Sequence, residues 1–507
     1  MTQQARTRAW TLYETGRDYN CQLNPNQYSL VRTNTEFFIG NQWLNLPDTP
    51  AMRALPKPTF NILKRVASLF IASLTGNAFR LKVEPLFDAS DTAAAFADTE
   101  LSNLLEKFHF EYRIRDALFD GAQTGDYCAH FWFDPAARPY GGAGAFRDCR
   151  GEIQMELVDG INVMFGNPAD CRVERQPWIL LVGRDRVENL RREARRYRKA
   201  GDAGEIVADE DDETALYVLL YTKVERNHET TVHVTKATRE AVIYEDIDTG
   251  LSVYPVAWGN WERQRNQYHG RALVTGLIPN QIFINTLFAT AMRHIQLMAF
   301  PRVVYNADLI SAWTNEVGQA IGVRGLQPGQ NVASVAGTIP ASEMSAQIFT
   351  LIDKTMAYTK ECLGVSDVQL GNARPENTSA LALLQTNAEV SLENIRAGLH
   401  EWLEDIGRIL LDMMGTCYGT RPVVTRRDGE NAVTDFDFRE FKHLWLTLRA
   451  DVGKATVYNE AALLQTLDEL RRDGFLTAVQ YLERVPDRLF PRKAELLDEL
   501  RAAQSNG

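Results

Sequence analysis

The sequence predicts an α+β chain, mainly helical, and three observations carry that expectation. Apolar residues recur at three- and four-residue steps over most of the first 122 residues and again over most of the last 240. Between Asp126 and about residue 260 the period changes to two, with Gly, Pro and Asp bounding each run. The 507 residues exceed what a single compact core organises, so several domains are expected.

Taken in order, residues 3–45 read as helical with an interruption at Asn24-Pro25. Pro56 and Pro58 break the chain. Asn61 is placed to cap a helix carrying Ile62, Val66, Leu69, Phe70 and Leu74, which ends at Gly76. One further helix is expected from about Ala93 to Ala122. The segments YCAHFWFD, EIQMELVD, INVMFG, WILLVG, LYVLLYTKVER, TTVHVTKA and AVIYE then read as strands, and LSVYPVAWGNWER closes this region. Residues 185–199 form a short basic helix before the acidic run 209–213. Opposite charges this close read as a mutually neutralising surface excursion in preference to a DNA-contacting helix.

Asn280 to Phe300 carries Ile284, Leu287, Ala291, Ile295 and Met298 on one stripe and Gln281, Asn285, Arg293 and Gln296 on a second, polar one; Pro301 stops it. Residues 302–340 mix the strand RVVYN, a small helix near Leu309 to Ala320, and Gly/Pro turns. A second helix is expected from Ala341 to Leu363, followed by the polar loop 364–378. Ten apolar positions from Leu381 to Met413 then keep helical step; roughly 40 residues at about 1.5 Å each would span some 60 Å. The stretches RPVVT and KHLWLTLRA read as strands, and the chain from Lys454 as charged helix.

Composition narrows the function. Lys and Arg number 55 against 66 Asp and Glu, a net charge of −11, so bulk attraction to phosphate is not the design. The six cysteines show no C-x-x-C or zinc spacing and read as free thiols in a reducing cytoplasm. The first ten residues lack an apolar signal core, and the apolar run 277–300 is interrupted by Asn280, Gln281, Asn285, Arg293 and His294, so no membrane partner is expected. GGAGAF at 141–146 lacks the Lys-Ser/Thr of a phosphate loop. His228 and His233 would point to opposite faces of one strand, and no other histidine pairs persuasively with a carboxylate. No catalytic residue, metal site or cofactor is expected.

Four stretches are distinctive in their order and spacing: NTEFFIGNQW at 34–43, KPTFNILKRVASLFIASL at 57–74, YHGRALVTGLIPNQIFIN at 268–285, and GVSDVQLGN with ENTSALALLQ within 364–385. In these the chain resembles the portal proteins of tailed bacteriophages, and the resemblance covers most of its length. It implies a wing (1–265), stem helices (266–300 and 341–363) flanking a clip (301–340), a tunnel loop (364–378), a long wing helix with closing strands (379–450), and a crown (451–507). It implies a ring, usually of twelve copies, at one capsid vertex of the virion, assembled in the host cytoplasm. Double-stranded DNA would pass through the ring during packaging and ejection. Implied partners are the terminase large subunit, a head-completion or adaptor protein, the major capsid protein and a scaffold protein. Gln369, Asn372, Arg374, Glu376 and Asn377 are then the tunnel-loop candidates for touching DNA, and Gln281, Asn285, Arg293, Gln296 and Lys354 the lumen-facing stem candidates. Another phage structural protein, of the tail or baseplate, is the alternative reading; a DNA-processing enzyme would need a phosphate loop or metal cluster that is not visible.

Overall fold

A computed structural model describes residues 2–44, 49–76, 79–85, 91–138, 149–197, 204–209, 213–226, 229–298, 302–313, 321–326, 329, 331, 335–339, 346–362, 392–427, 430–442, 446–452, 464, 467–485, 493 and 496–497. Its helices are α1 (Thr2–Gln22), α2 (Gln27–Ile39), α3 (Pro50–Arg53), α4 (Ile62–Leu74), α5 (Asp91–Lys107), α6 (Phe110–Thr124), α7 (Val187–Arg196), α8 (Leu273–Met298), α9 (Ala346–Cys362), α10 (Glu393–Cys417) and α11 (Ala478–Arg484). Its strands are β1 (Phe79–Pro85), β2 (Asp126–Asp134), β3 (Glu152–Val158), β4 (Val163–Phe165), β5 (Trp178–Arg186), β6 (Thr214–Arg226), β7 (Glu229–Thr238), β8 (Val242–Asp248), β9 (Val256–Asn260), β10 (Arg302–Tyr305), β11 (Ala336–Ile339), β12 (Thr420–Arg427), β13 (Glu430–Asp437) and β14 (Leu446–Val452). Mixed helices and sheets make the chain α+β, as expected.

The chain divides into two compact units. The first contains Met1–Arg32, Ala67–Thr275 and Val368–Gly507, and the second Thr33–Val66 and Gly276–Asp367. Residues 33–66, grouped from sequence with the rest of 1–265, thus cluster with 276–367.

In the first unit β4 to β8 form an antiparallel five-stranded sheet in sequence order, and β3-β2-β9 an antiparallel three-stranded one. Strand alternation puts each sheet face to use. On β6, Leu216, Val218 and Leu220 pack with Ala9, Leu12 and Tyr13 of α1. Ala215 and Tyr217 point the other way and pack with Val187, Leu190 and Ala194 of α7. Helix α10 buries Leu399, Trp402, Leu403, Ile406, Leu410 and Met413 at three- and four-residue steps. Trp402 stacks on Phe110, meets Tyr127 edge-on, and donates from Nε1 to the Ala257 carbonyl at 3.2 Å. Arg421 is buried, yet its guanidinium donates to the carbonyls of Tyr418, Arg150 and Gly151. These bonds offset the cost of removing that charge from water.

Several expectations change. The helix predicted from 93 to 122 is two helices, because His109 takes a left-handed conformation (φ 50°) that ends α5 and starts α6. The small helix expected from Leu309 is not formed over 309–313. There Asn306 folds an Asx turn, its side-chain oxygen accepting from Asp308 N at 2.9 Å; residues 314–320 lie outside the described ones. Helix α8 starts at Leu273, ahead of the expected Asn280, and runs through Pro279. The strands β1, β11 and β13 were not expected; each pairs with a segment distant in sequence or across a turn. The long helix is described only as the 25 residues of α10, about 37 Å, since 363–391 lie outside the described residues.

Candidate functional site

The second unit is built on three of the four distinctive sequence stretches, and hydrogen bonds show what each motif residue does. Gly40 adopts φ 107° just after α2, a conformation that glycine takes without strain, and turns the chain so that Gln42 folds back. Gln42 donates to the Phe37 carbonyl at 3.0 Å, and Trp43 Nε1 donates to the Pro58 carbonyl at 3.0 Å. Asn61 caps α4, its side-chain oxygen accepting from Lys64 N at 3.1 Å while its amide nitrogen donates to the Phe38 carbonyl at 2.8 Å. From α8, Asn285 donates to the Gln42 side-chain oxygen at 2.7 Å. Gln281 donates to Asn285 at 2.9 Å and to the Phe60 carbonyl at 2.7 Å, and accepts from Ile62 N at 3.1 Å. The side-chain amides of Gln42, Gln281 and Asn285 thus form one connected chain, which also satisfies the first backbone N–H of α4.

This geometry corrects two of the lumen-facing candidates. Gln281 and Asn285 are 2% and 1% exposed and lie on the same face of α8 as the buried Ile284. An amide with all its hydrogen bonds made inside the subunit is a structural element, and does not line an open channel. What α8 leaves exposed over much of its length is apolar: Ile282, Phe283, Met292, Ile295, Leu297 and Met298. Helix α9 likewise exposes Phe349, Leu351 and Tyr358 while burying Ile352 and Thr359. Of the other stem candidates, Gln296 and Lys354 are exposed and Arg293 is half-buried. Helix α8 is long and apolar enough to cross a bilayer by length and composition alone, contrary to the sequence expectation. Between α8 and α9 the strands β10 and β11 pair as an antiparallel ladder from Arg302↔Ile339 to Tyr305↔Ala336, with Val304 and Ile339 exposed. The tunnel-loop candidates Gln369, Asn372, Arg374, Glu376 and Asn377 lie outside the described residues.

The start of the YHGRALV stretch serves the first unit. Gly125 (φ 97°) and Gly270 meet backbone to backbone, and a Cβ on Gly125 would lie 2.4 Å from the Gly270 carbonyl oxygen. That close approach brings Asp126 to the loop. Its carboxylate accepts from Gly270 N and the Asn260 amide, each at 2.7 Å, and from His269 Nδ1 at 2.6 Å. The Tyr268 hydroxyl donates to the Val163 carbonyl at 3.1 Å.

Histidine–carboxylate pairs are therefore present where none was expected. Besides His269–Asp126 there are His130, between Glu156 (2.9 Å) and the Tyr221 hydroxyl (2.8 Å), and His233 with Asp246 (2.8 Å). Each brings together residues from different strands or loops, which sequence spacing does not reveal. His228 lies outside the described residues. Among the described residues, no group of three or more His, Cys, Asp or Glu side chains is placed to hold a metal ion. Cys21, Cys128, Cys149, Cys171 and Cys417 are free thiols.

Residues 174–437, more than half of the chain, match the family model for phage P22-like portal proteins. The chain belongs to that family. The matched span starts before β5, covers α8, the β10–β11 hairpin, α9 and α10, and ends with β13. No curated protein matches the chain. Portal-family proteins are structural components of phage capsid assemblies, so α8 and α9 with their exposed apolar residues form the candidate functional surface here.

Proposed function

We propose that this portal-family chain is the subunit of a closed ring, of twelve copies, at one capsid vertex, through which double-stranded DNA is packaged and ejected. One observation carries the reading beyond family membership. The helices α8 and α9 expose apolar side chains in a chain of net charge −11, and such a surface calls for a cover. Neighbouring copies cover it on every subunit when a heterologous contact closes into a ring. The channel face would then be lined by the polar residues beside it, Arg293, Gln296 and Lys354.

In this reading α8 and α9 are the stem, 301–340 the clip that docks the terminase large subunit and later the head-completion protein, and 364–378 the tunnel loop. The wing and crown would face the capsid protein, scaffold and interior. An acidic subunit suits a conduit, because each neutralised phosphate adds salt-dependent affinity and would slow sliding DNA. The chain acts as a structural subunit and not as an enzyme.

Native mass spectrometry and electron microscopy of the purified protein test the reading together. The expected species is a ring with an axial hole, near twelve times 57.3 kDa. Protein that stays monomeric at every concentration, and forms no ring when co-assembled with its capsid protein, would sink it. Shortening 364–378 or changing Arg374→Glu should leave rings intact while altering how much DNA is packaged with the cognate terminase.

A further inference from the structure

The basic helix α7 lies in the first compact unit and has no part in the reading above. It is a built element of the fold: Val187, Leu190 and Ala194 are buried against Ile206, Ala215, Ala241 and Ile243. Arg191 donates to the Ile206 carbonyl at 2.8 Å, tying down the chain that follows. Of the acidic residues nearby, Glu193 is engaged by Lys236 at 2.7 Å and Asp209 by Arg184 at 3.5 Å, while Glu205 and Glu213 are exposed. Arg192, Arg195 and Arg196 are exposed and make no ion pair among the described residues.

Those three arginines stand at i, i+3 and i+4, so they share one side of the helix, where like charges repel. The helix dipole favours Arg195 and Arg196 in the last turn, but not Arg192 a turn earlier. Glu188, exposed in the first turn, is the one carboxylate on the helix left to offset them. The result is a row of three exposed arginines on one side of a packed helix, in a chain of net charge −11.

We propose that the exposed arginine face of α7 binds the phosphate backbone of double-stranded DNA. Guanidinium forks match phosphate oxygens in pairs, which favours this occupant. In a contact with a folded protein, anchoring arginines sit in desolvated pockets, ringed by residues that exclude water, and are accompanied by Trp and Tyr. The helix face offers neither; the nearest exposed aromatic, Tyr197, lies beyond its end with its ring against Tyr244. Contact to phosphate alone carries no sequence preference.

Covalently closed circular duplex DNA mixed with the purified full-length protein tests this, because a closed circle cannot thread a ring already formed. Binding to it therefore reports on outer surfaces, whether or not the chain forms a channel. Wild-type protein should bind closed circles with an affinity that falls steeply as salt rises from about 50 to 200 mM. The triple variant R192Q/R195Q/R196Q should bind at least tenfold more weakly with a shallower salt dependence. The triple lysine variant, keeping the charge, should retain most of the affinity, and circular dichroism should match wild type for both. Equal binding by the glutamine variant, or no binding of closed circles by wild type, overturns the proposal. Binding of polyglutamate in preference to DNA overturns it too, and assigns the face to an acidic protein.

Discussion

At the residue scale, the amide chain of Gln42, Gln281 and Asn285 shows how polar residues can be demanded by a buried position. Each amide is both donor and acceptor, and removal of one leaves its partners buried and unpaired. Asn285→Ala should therefore destabilise the second unit by about 1–3 kcal/mol, read as a lower urea midpoint. The Gln42→Ala/Asn285→Ala double variant should cost less than the sum of the singles, because both remove the same 2.7 Å bond. Strictly additive losses would mean that the two side chains do not interact. Asp120 makes a different prediction. Burial raises its carboxyl to about 7, with Asp159 and Asp116 adding repulsion. The folded state then holds a proton that the unfolded chain releases near pH 4, so stability should decline as pH rises from about 4 to 7. Asp120→Asn should remove that decline and raise the melting temperature at pH 8, with little effect at pH 4. A variant whose pH profile parallels wild type would show that Asp120 titrates normally.

At the scale of elements, α8 was legible as a helix from its apolar step, but its faces were not. The sequence pattern groups Gln281 and Asn285 with Arg293 and Gln296, although the first two point into the unit and Gln296 is exposed. Periodicity tells which residues share a face; only the partner packed on that face tells whether it is wet. The same limit explains β1 and β11, short runs whose pairing comes from distant chain. Two predictions belong here. Phe283→Glu, on the exposed face of α8, should leave the monomer folded and abolish ring formation in size-exclusion chromatography. Rings of normal size would move the subunit contact elsewhere. Replacing 301–340 with a short linker should preserve rings but abolish capture of terminase and head-completion protein in a pull-down; capture at the wild-type level would exclude the clip assignment.

At the scale of the whole molecule, the chain belongs to the P22-like portal family, whose members are structural proteins. Protein purified without terminase should show no ATP turnover above background in a coupled assay. Sustained turnover abolished by a point substitution in the chain would falsify the non-enzymatic reading.

The amino-acid sequence by itself determined the α+β class, the break at Asn24-Pro25, the cap at Asn61, the strands of the 126–260 region and the family resemblance. All of these rest on local patterns: turn chemistry, side-chain period and motif spacing. Tertiary structure alone decided that FIGNQW, the Asn61 segment and PNQIFIN meet in one hydrogen-bonded cluster. It also decided that His269 faces Asp126, and that α8 exposes Ile282 and Phe283 while hiding its amides. The reason is physical. A hydrogen bond between residues more than a hundred positions apart is set by how whole elements pack, and neither partner's neighbourhood in the chain records it.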